Sequence, residues 1–303
     1  MQKALVKSGL VSIILPTYNT DELFLRQAVD SVVAQTYDNW ELLIIDDSTT
    51  SPVENIINSY SDQRIKYFRN PQNLGMANSR NRGLDLAQGE FIALLDHDDI
   101  WMPEKLELQL ELLRNTNCNM VFSPVTFFGK KSFQSPIWDI LTLKDMLMWN
   151  HVVSCSCALF CSDLIRKYNL RFSPDAVPAD DYGMWVNIAL YGGSIACTHK
   201  PLVRYRVHEN NVSSDALSCY YPYEWILKEI TWKLLKTQHP WIIKFEYITI
   251  ILRSRAWVLR KLIREDDAAA YSKKLHMVLK AILLCPVHPQ GWLLLIKLLL
   301  GGV

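Results

Sequence analysis

Three carboxylates, Asp96, Asp98 and Asp99, crowd the end of the apolar run Phe91–Leu95. A short run of that kind reads as a strand buried on both faces, and open α/β sheets bind ligands beyond the carboxyl ends of such strands. Like charges gathered in one place are costly unless a cation neutralises them. Carboxylate oxygens suit a hard divalent ion, so the cluster predicts Mg2+ or Mn2+. Such an ion would bridge the cluster to a diphosphate and stabilise the charge that grows as a bond to phosphate oxygen breaks. A lone D-x-D also fits a solvated turn that caps the next helix. The strand before it and the groups at the other strand ends favour the metal.

Pro16-Thr17-Tyr18-Asn19 follows the first strand-like run, and Asp46-Asp47-Ser48 follows the second. Polar side chains converging at consecutive strand ends predict a nucleotide pocket, in which a carboxylate accepts the imide N–H of uracil and hydroxyls reach ribose. Gly75 stands at the start of a helix, where free backbone N–H groups favour an anion, with Arg80 and Arg82 about one turn on. Arg80 is the preferred diphosphate or pocket-wall contact. Asp180 and Asp181 open a later helix. Carboxylates are common helix caps, but beside a metal cluster one of them can act as a general base. His208 is expected to reach the metal or the diphosphate as the loop after Arg206 closes and excludes water. Trp101 and Trp185 are candidates to stack on a sugar, although tryptophans at strand and helix ends more often pack in a core.

The elements that must position these groups alternate between two apolar periods, the sign of βαβ units. Val11–Leu15 and Leu42–Ile45 read as buried strands, and Asp21 caps a helix with Leu25, Ala28, Val29, Val32 and Val33 at helical spacing. Pro52 opens a helix through Tyr60; Ile65–Phe68 is a strand and Met76–Ala87 a helix ended near Gly89. A helix starts at Pro103 and runs to Asn115, and Met120–Phe128 reads as one strand. After Ser214 the texture changes to long helical segments, Tyr220–Lys236, Trp241–Leu262 and Ala268–Leu284. The expected fold is α/β, with a Rossmann-like, mostly parallel central sheet flanked by helices and a helical C-terminal extension. Residues 1–214 form the catalytic domain, with 1–115 as its nucleotide-binding half and 116–214 as its acceptor-binding half; 215–303 form the helical region.

The 303 residues suffice for one large core plus an appendage, and a net charge of +1 gives no electrostatic reason to expect nucleic acid as a partner. Seven cysteines, an odd number, read as reduced thiols. Cys155, Cys157 and Cys161 lack the two separated pairs of a zinc site. No leader-like pattern opens the chain, so export is not expected. The apolar run Trp292–Leu300 is nine residues long, far below the ~20 that span a bilayer. It can lie in a membrane interface beside the basic helix carrying Arg253, Arg255, Arg260, Lys261 and Arg264, or pack on the main domain or in a homodimer contact.

Taken together, the chain resembles the family 2 glycosyltransferases of bacterial surface-glycan type, from about Val11 to Ser213. The resemblance rests on six motifs in order: Pro16–Asn19, Ile45–Ser48, Asn73–Gly75 with Ala77–Gly83, Leu95–Asp99, Asp180–Trp185 and Tyr205–Ser213. It implies a GT-A fold and inversion at the anomeric carbon. It implies that Asp46 or Asp47 recognises the base, that Asp96 lies near the ribose, that Asp98 holds the metal, and that Asp181 is the general base. Asp99, Trp101, Asp180 and Trp185 are then expected at the sugar or acceptor. Asp180 stands where the family usually has Glu, and Gly183 replaces a later Asp, which puts acceptor contacts in doubt. The expected activity is metal-dependent transfer of a sugar from a nucleotide-sugar donor, UDP-linked by expectation, to a hydroxyl of a glycan or lipid-linked acceptor. The expected location is cytoplasmic, peripheral on the inner face of the cell membrane, in assembly of a polysaccharide such as lipopolysaccharide. The rivals are an Asp-nucleophile phosphotransferase, a nucleotidyltransferase and a non-catalytic nucleotide-sugar-binding scaffold. The phosphotransferase would carry its D-x-D after the first strand, and the nucleotidyltransferase would prefer a basic, glycine-rich loop there.

Overall fold

The computed structural model describes residues 6–50, 53–130, 132–148, 150–208, 216–238, 240–265 and 279. The strands are β1 (Lys7–Thr17), β2 (Trp40–Asp46), β3 (Ile65–Arg69), β4 (Gly89–Leu94), β5 (Ile100–Trp101), β6 (Met120–Phe122), β7 (Val125–Gly129), β8 (Ile140–Leu141), β9 (Ala158–Cys161), β10 (Ile195–Cys197) and β11 (Val203–Val207). The helices are α1 (Glu22–Val33), α2 (Glu54–Ile57), α3 (Met76–Leu86), α4 (Lys105–Asn115), α5 (Leu143–Met148), α6 (Ser162–Tyr168), α7 (Asp180–Gly192), α8 (Ala216–Lys236) and α9 (Trp241–Glu265).

Eight strands form the main sheet in the order β3-β2-β1-β4-β9-β6-β10-β8. The first four are mutually parallel, β9 runs antiparallel to both its neighbours, and β6 and β10 are parallel again. Val11, Ile13, Ile14 and Leu15 of β1 and Leu42–Ile45 of β2 are buried, as continuous β-branched and leucine runs require when helices cover both sheet faces. Asp21 caps α1 by accepting from the Leu23 N–H at 2.8 Å.

One glycine decides how closely α3 lies on the sheet. A Cβ at Gly83 would stand 2.3 Å from Cγ2 of Ile14 on β1, so only glycine permits this approach. The close approach sets the depth at which side chains of α3 reach the strand ends.

The single strand expected over Met120–Phe128 is two. β6 belongs to the main sheet, whereas β7 joins a second, three-stranded sheet in the order β5-β11-β7. Pro124 between them has no N–H for a ladder, so the chain changes sheets there. The helix expected from Pro52 to Tyr60 is the single turn α2, and the one expected from Pro103 starts at Lys105.

The chain divides into two compact units, residues 1–143 with 151–211, and residues 144–150 with 212–303. Within the second unit, α8 and α9 bury Ile226, Leu227, Ile230, Leu234, Ile250 and Ile251. Arg255 pairs with Glu224 at 2.7 Å, and the Ser254 hydroxyl donates to the Leu147 carbonyl at 2.6 Å. No helix among the described residues is long and apolar enough to cross a membrane. Ala268–Leu284 and Trp292–Leu300 lie outside the described residues, Leu279 excepted.

Candidate active site

The ends of β1, β2 and β4 lie side by side, with Thr17 in register with Asp46. Asp46 is fully enclosed, and its two oxygens take four donors. Thr17 Oγ1 at 3.2 Å and the Ser48 N–H at 3.0 Å share Oδ1; the Val53 N–H at 3.1 Å and the Tyr67 hydroxyl at 2.7 Å share Oδ2. Burial alone would raise its pKa, but donors from Ser48, Tyr67 and Val53 outweigh it and hold the carboxyl below the ordinary range. The expectation that Asp46 touches the nucleotide is therefore corrected, because it has no surface left and instead orders the loop from Asp47 to Val53.

Asp47 accepts from Asn70 Nδ2 at 2.6 Å and from the backbone N–H groups of Leu74 and Gly75, each at 2.8 Å. It thereby fixes the start of α3, where Gly75 sits at φ +82°, a conformation that favours glycine. Tyr18 is half exposed, and the Asn19 N–H donates to Ser48 Oγ at 2.9 Å. Pro16 and Thr17 are buried in β1 below them.

Beyond β4 the acidic turn separates into two kinds of carboxylate. Asp99 is buried, and accepts from Ser156 Oγ at 2.7 Å, Ser154 Oγ at 3.3 Å and the Arg206 N–H at 3.0 Å. Burial, then the charges of Asp98 and Asp96, push its pKa well up. It anchors β11 and the turn Cys155–Cys157, so its expected role at the sugar is also corrected. Asp98 is partly exposed and stands 2.9 Å from His208 Nε2, through Oδ2. Asp96 accepts from Arg80 at 3.0 Å, and Arg80 grips Asp180 at 2.7 Å with its other terminal nitrogen.

β11 delivers His208. Its residues Val203 and Arg204 pair antiparallel with Trp101 and Ile100, immediately after the acidic turn, so the strand's end is carried back over that turn. Arg206 secures it: Nε donates to the Asp98 carbonyl at 2.8 Å, a terminal nitrogen donates to Gln27 at 2.6 Å, and the guanidinium lies 4.1 Å over Phe24 and 4.5 Å over Phe128.

Asp181 lies in the first turn of α7, where Asp180 is buried and Asp181 is only partly covered. Burial and then the neighbouring Asp180 raise its pKa to about 7, against the opposing pull of Arg80. A carboxylate poised there is suited to take a proton at neutral pH.

Two more expectations are corrected. Trp185 is fully buried, edge-on to Phe160 and Phe172, and Trp101 is buried with its indole N–H donating to the Ser156 carbonyl at 3.0 Å. Neither offers a face to a sugar. Asp180, buried on Arg80, offers none to an acceptor. Cys118, Cys155, Cys157, Cys161 and Cys197 are free thiols.

Ser154, Ser156 and Arg206 were not singled out from the sequence, although they hold the site together. The alternating Ser154-Cys-Ser156-Cys was a signal, since two hydroxyls inside an apolar run need buried acceptors.

Residues 12–168 match the family described as glycosyl transferase family 2. The chain belongs to glycosyl transferase family 2. A curated relative, the Escherichia coli UDP-Glc:alpha-D-GlcNAc-diphosphoundecaprenol beta-1,3-glucosyltransferase WfgD, is 31% identical over 210 residues, 68% of this chain and 80% of that protein. The solved structure of S. aureus TarS 1-349 in complex with UDP-GlcNAc superposes with a TM-score of 0.74 at 17% identity, over 96% of this chain and 88% of that one. The mannosyltransferase PcManGT from Pyrobaculum calidifontis, in complex with GDP-Man and Mn2+, gives 0.60 at 16% identity, over 96% and 86%. This glycosyltransferase therefore has the GT-A fold, and the turn at Asp96–Asp99 and the start of α7 both fall in the first of its two units.

Proposed function

We propose that this glycosyltransferase moves a sugar, with inversion, from a UDP-sugar to a hydroxyl of a lipid-linked glycan, in assembly of a cell-surface polysaccharide. The observation that carries the reading is that the Asp98–His208 pair and Asp181 are tied to one turn. Asp98 and His208 stand together at the strand ends, and Asp181, with its raised pKa, stands at the start of a helix tied to the same turn through Arg80 and Asp96. UDP as the donor's nucleotide is supported by the names of WfgD and of the TarS complex, and a polyprenol-linked acceptor by that of WfgD.

The residues present fit a divalent cation. Asp98 Oδ2 and His208 Nε2 are 2.9 Å apart and partly exposed, so one ion could replace the proton they share. Among the described residues no group of three His, Cys, Asp or Glu is arranged to hold a metal, so the remaining ligands would be diphosphate oxygens and water. When bound, the ion supplies positive charge against the departing nucleoside diphosphate. Asp98 and His208 would hold it. Asp47 orders the start of α3 and the nucleotide loop, and exposed Tyr18 is the remaining aromatic face for a base. Asp181 takes the proton of the acceptor hydroxyl as its oxygen attacks the anomeric carbon opposite the leaving diphosphate. No covalent enzyme intermediate is needed in one displacement.

Membrane docking belongs to the same reading. Trp232, Trp241 and Phe245, at the turn between α8 and α9, are 67%, 73% and 73% exposed. Aromatic rings with Lys236 exposed beside them suit a bilayer interface, where a lipid-linked acceptor resides. To test the function, the protein is incubated with a panel of nucleotide sugars and Mn2+, and released nucleotide is followed. Release of UDP in an acceptor-dependent manner supports the reading; no turnover with any donor would favour the non-catalytic scaffold.

A further inference from the structure

Arg80 was expected to reach a diphosphate, yet its side chain is 5% exposed and both terminal nitrogens are spent on protein carboxylates. One holds Asp96 at the end of β4, the other holds Asp180 in the first turn of α7, and Phe172 lies 5.7 Å under the guanidinium. Arg80 and Asp180 are a hundred positions apart, one from each half of the catalytic unit. Arg80 Nε and Asp180 Oδ1 are buried without a hydrogen-bond partner among the described residues. A buried triad with two carboxylates, one cation and unsatisfied atoms is a poor source of stability, since desolvation offsets the attraction. What it supplies is geometry, because a planar fork grips two carboxylates in fixed directions where a lysine could only attract them.

The grip continues in both directions. Upstream, Gly83 lets α3 lie against Ile14, and Asp47 binds the N–H groups that start the helix, so Arg80 projects from a helix fixed at the nucleotide end. Downstream, Asp180 is followed directly by Asp181. We propose that Arg80 is the positioning residue for the proton acceptor: by holding Asp180 and Asp96 at once, it sets the first turn of α7 and thereby the place of the Asp181 carboxylate relative to the donor. This rests on the reading of Asp181 as general base. The charged groups acting on Asp181 are Asp180 on its own helix, Arg80 from α3 and Asp96 after β4, and the Cys155 thiol lies in the same field.

The test uses full-length Arg80→Lys and Asp180→Asn, with kcat, donor KM and the pH profile of each. Arg80→Lys keeps the charge and loses the fork. It is expected to lower kcat by about 100-fold, the scale of a misplaced catalytic group, with donor KM little changed. Asp180→Asn keeps an acceptor for Arg80 but removes a like charge beside Asp181, so the acid limb of its profile moves to lower pH. The proposal is overturned if Arg80→Lys raises donor KM and leaves kcat intact, which is the behaviour of a diphosphate contact. It is equally overturned if the Asp180→Asn limb stays where it was. Should Arg80→Lys not fold, Arg80→Gln, which keeps hydrogen-bond donors and loses the fork, replaces it with the same kcat and donor KM readouts. Transfer retained by Asp181→Asn would instead sink the general-base reading itself, so the two failures are distinct.

Discussion

Each carboxylate near the strand ends has its own environment, and that environment decides its chemistry. Asp46 is saturated by donors and stays ionised, Asp99 is buried against its neighbours, and Asp181 is raised to about 7. Acting as a base, Asp181 must be ionised, so transfer is expected to fall about tenfold per pH unit below about 7, read from the kcat/KM profile. The same shift has an opposite consequence for stability. Since the folded-state pKa lies above the unfolded value, the fold holds the proton more tightly, and stability declines as pH rises from the ordinary carboxylate range through about 7. Asp181→Asn should therefore melt higher than wild type at about pH 8 and alike at about pH 4, as functional groups often cost stability. Equal melting temperatures at both would contradict the raised pKa. Residue pattern alone marked the acidic residues as a group, and only the resemblance told Asp98 from Asp99: adjacent residues point oppositely, and the hydroxyls of Ser154 and Ser156, more than fifty positions away, show which faces inward.

At the scale of elements, what was legible follows from local pattern. β1, β2 and β4 announce themselves as buried apolar runs, and α1 carries its own cap at Asp21. The division of Met120–Phe128 was not legible, because an apolar run reports burial and not which sheet it joins, though Pro124 marked the break. The pairing of β11 with β5 was equally hidden, being a contact across about a hundred residues, and it is what brings His208 to Asp98. Two predictions belong here. Gly83→Ala should destabilise the fold by about 1–3 kcal/mol in denaturant titration, since overpacking against Ile14 outweighs alanine's better helix propensity. Arg206→Met removes the hydrogen bonds to Asp98 and Gln27, so the Mn2+ concentration for half-maximal rate should rise about 10- to 100-fold. An unchanged metal dependence would show that Arg206 does not support the ligands.

For the whole molecule, Asp98, His208 and Asp181 lie in the α/β unit, and Trp232, Trp241 and Phe245, the most exposed large aromatic side chains among the described residues, lie in the helical unit. Replacing Trp232, Trp241 and Phe245 together by Ser should weaken sedimentation with anionic vesicles several-fold while leaving turnover on a soluble acceptor analogue intact. Unaltered vesicle binding would contradict a membrane contact at these aromatics. The claim on which the account turns is that Asp181 takes the acceptor's proton while the donor is held by other groups. Its most direct measurement is single-turnover sugar transfer by Asp181→Asn at saturating donor and acceptor, with donor affinity titrated alongside. Donor affinity is expected close to wild type, with transfer slowed by about 10²- to 10⁴-fold. Transfer at the wild-type rate, or loss of donor binding with the rate preserved once bound, would contradict it.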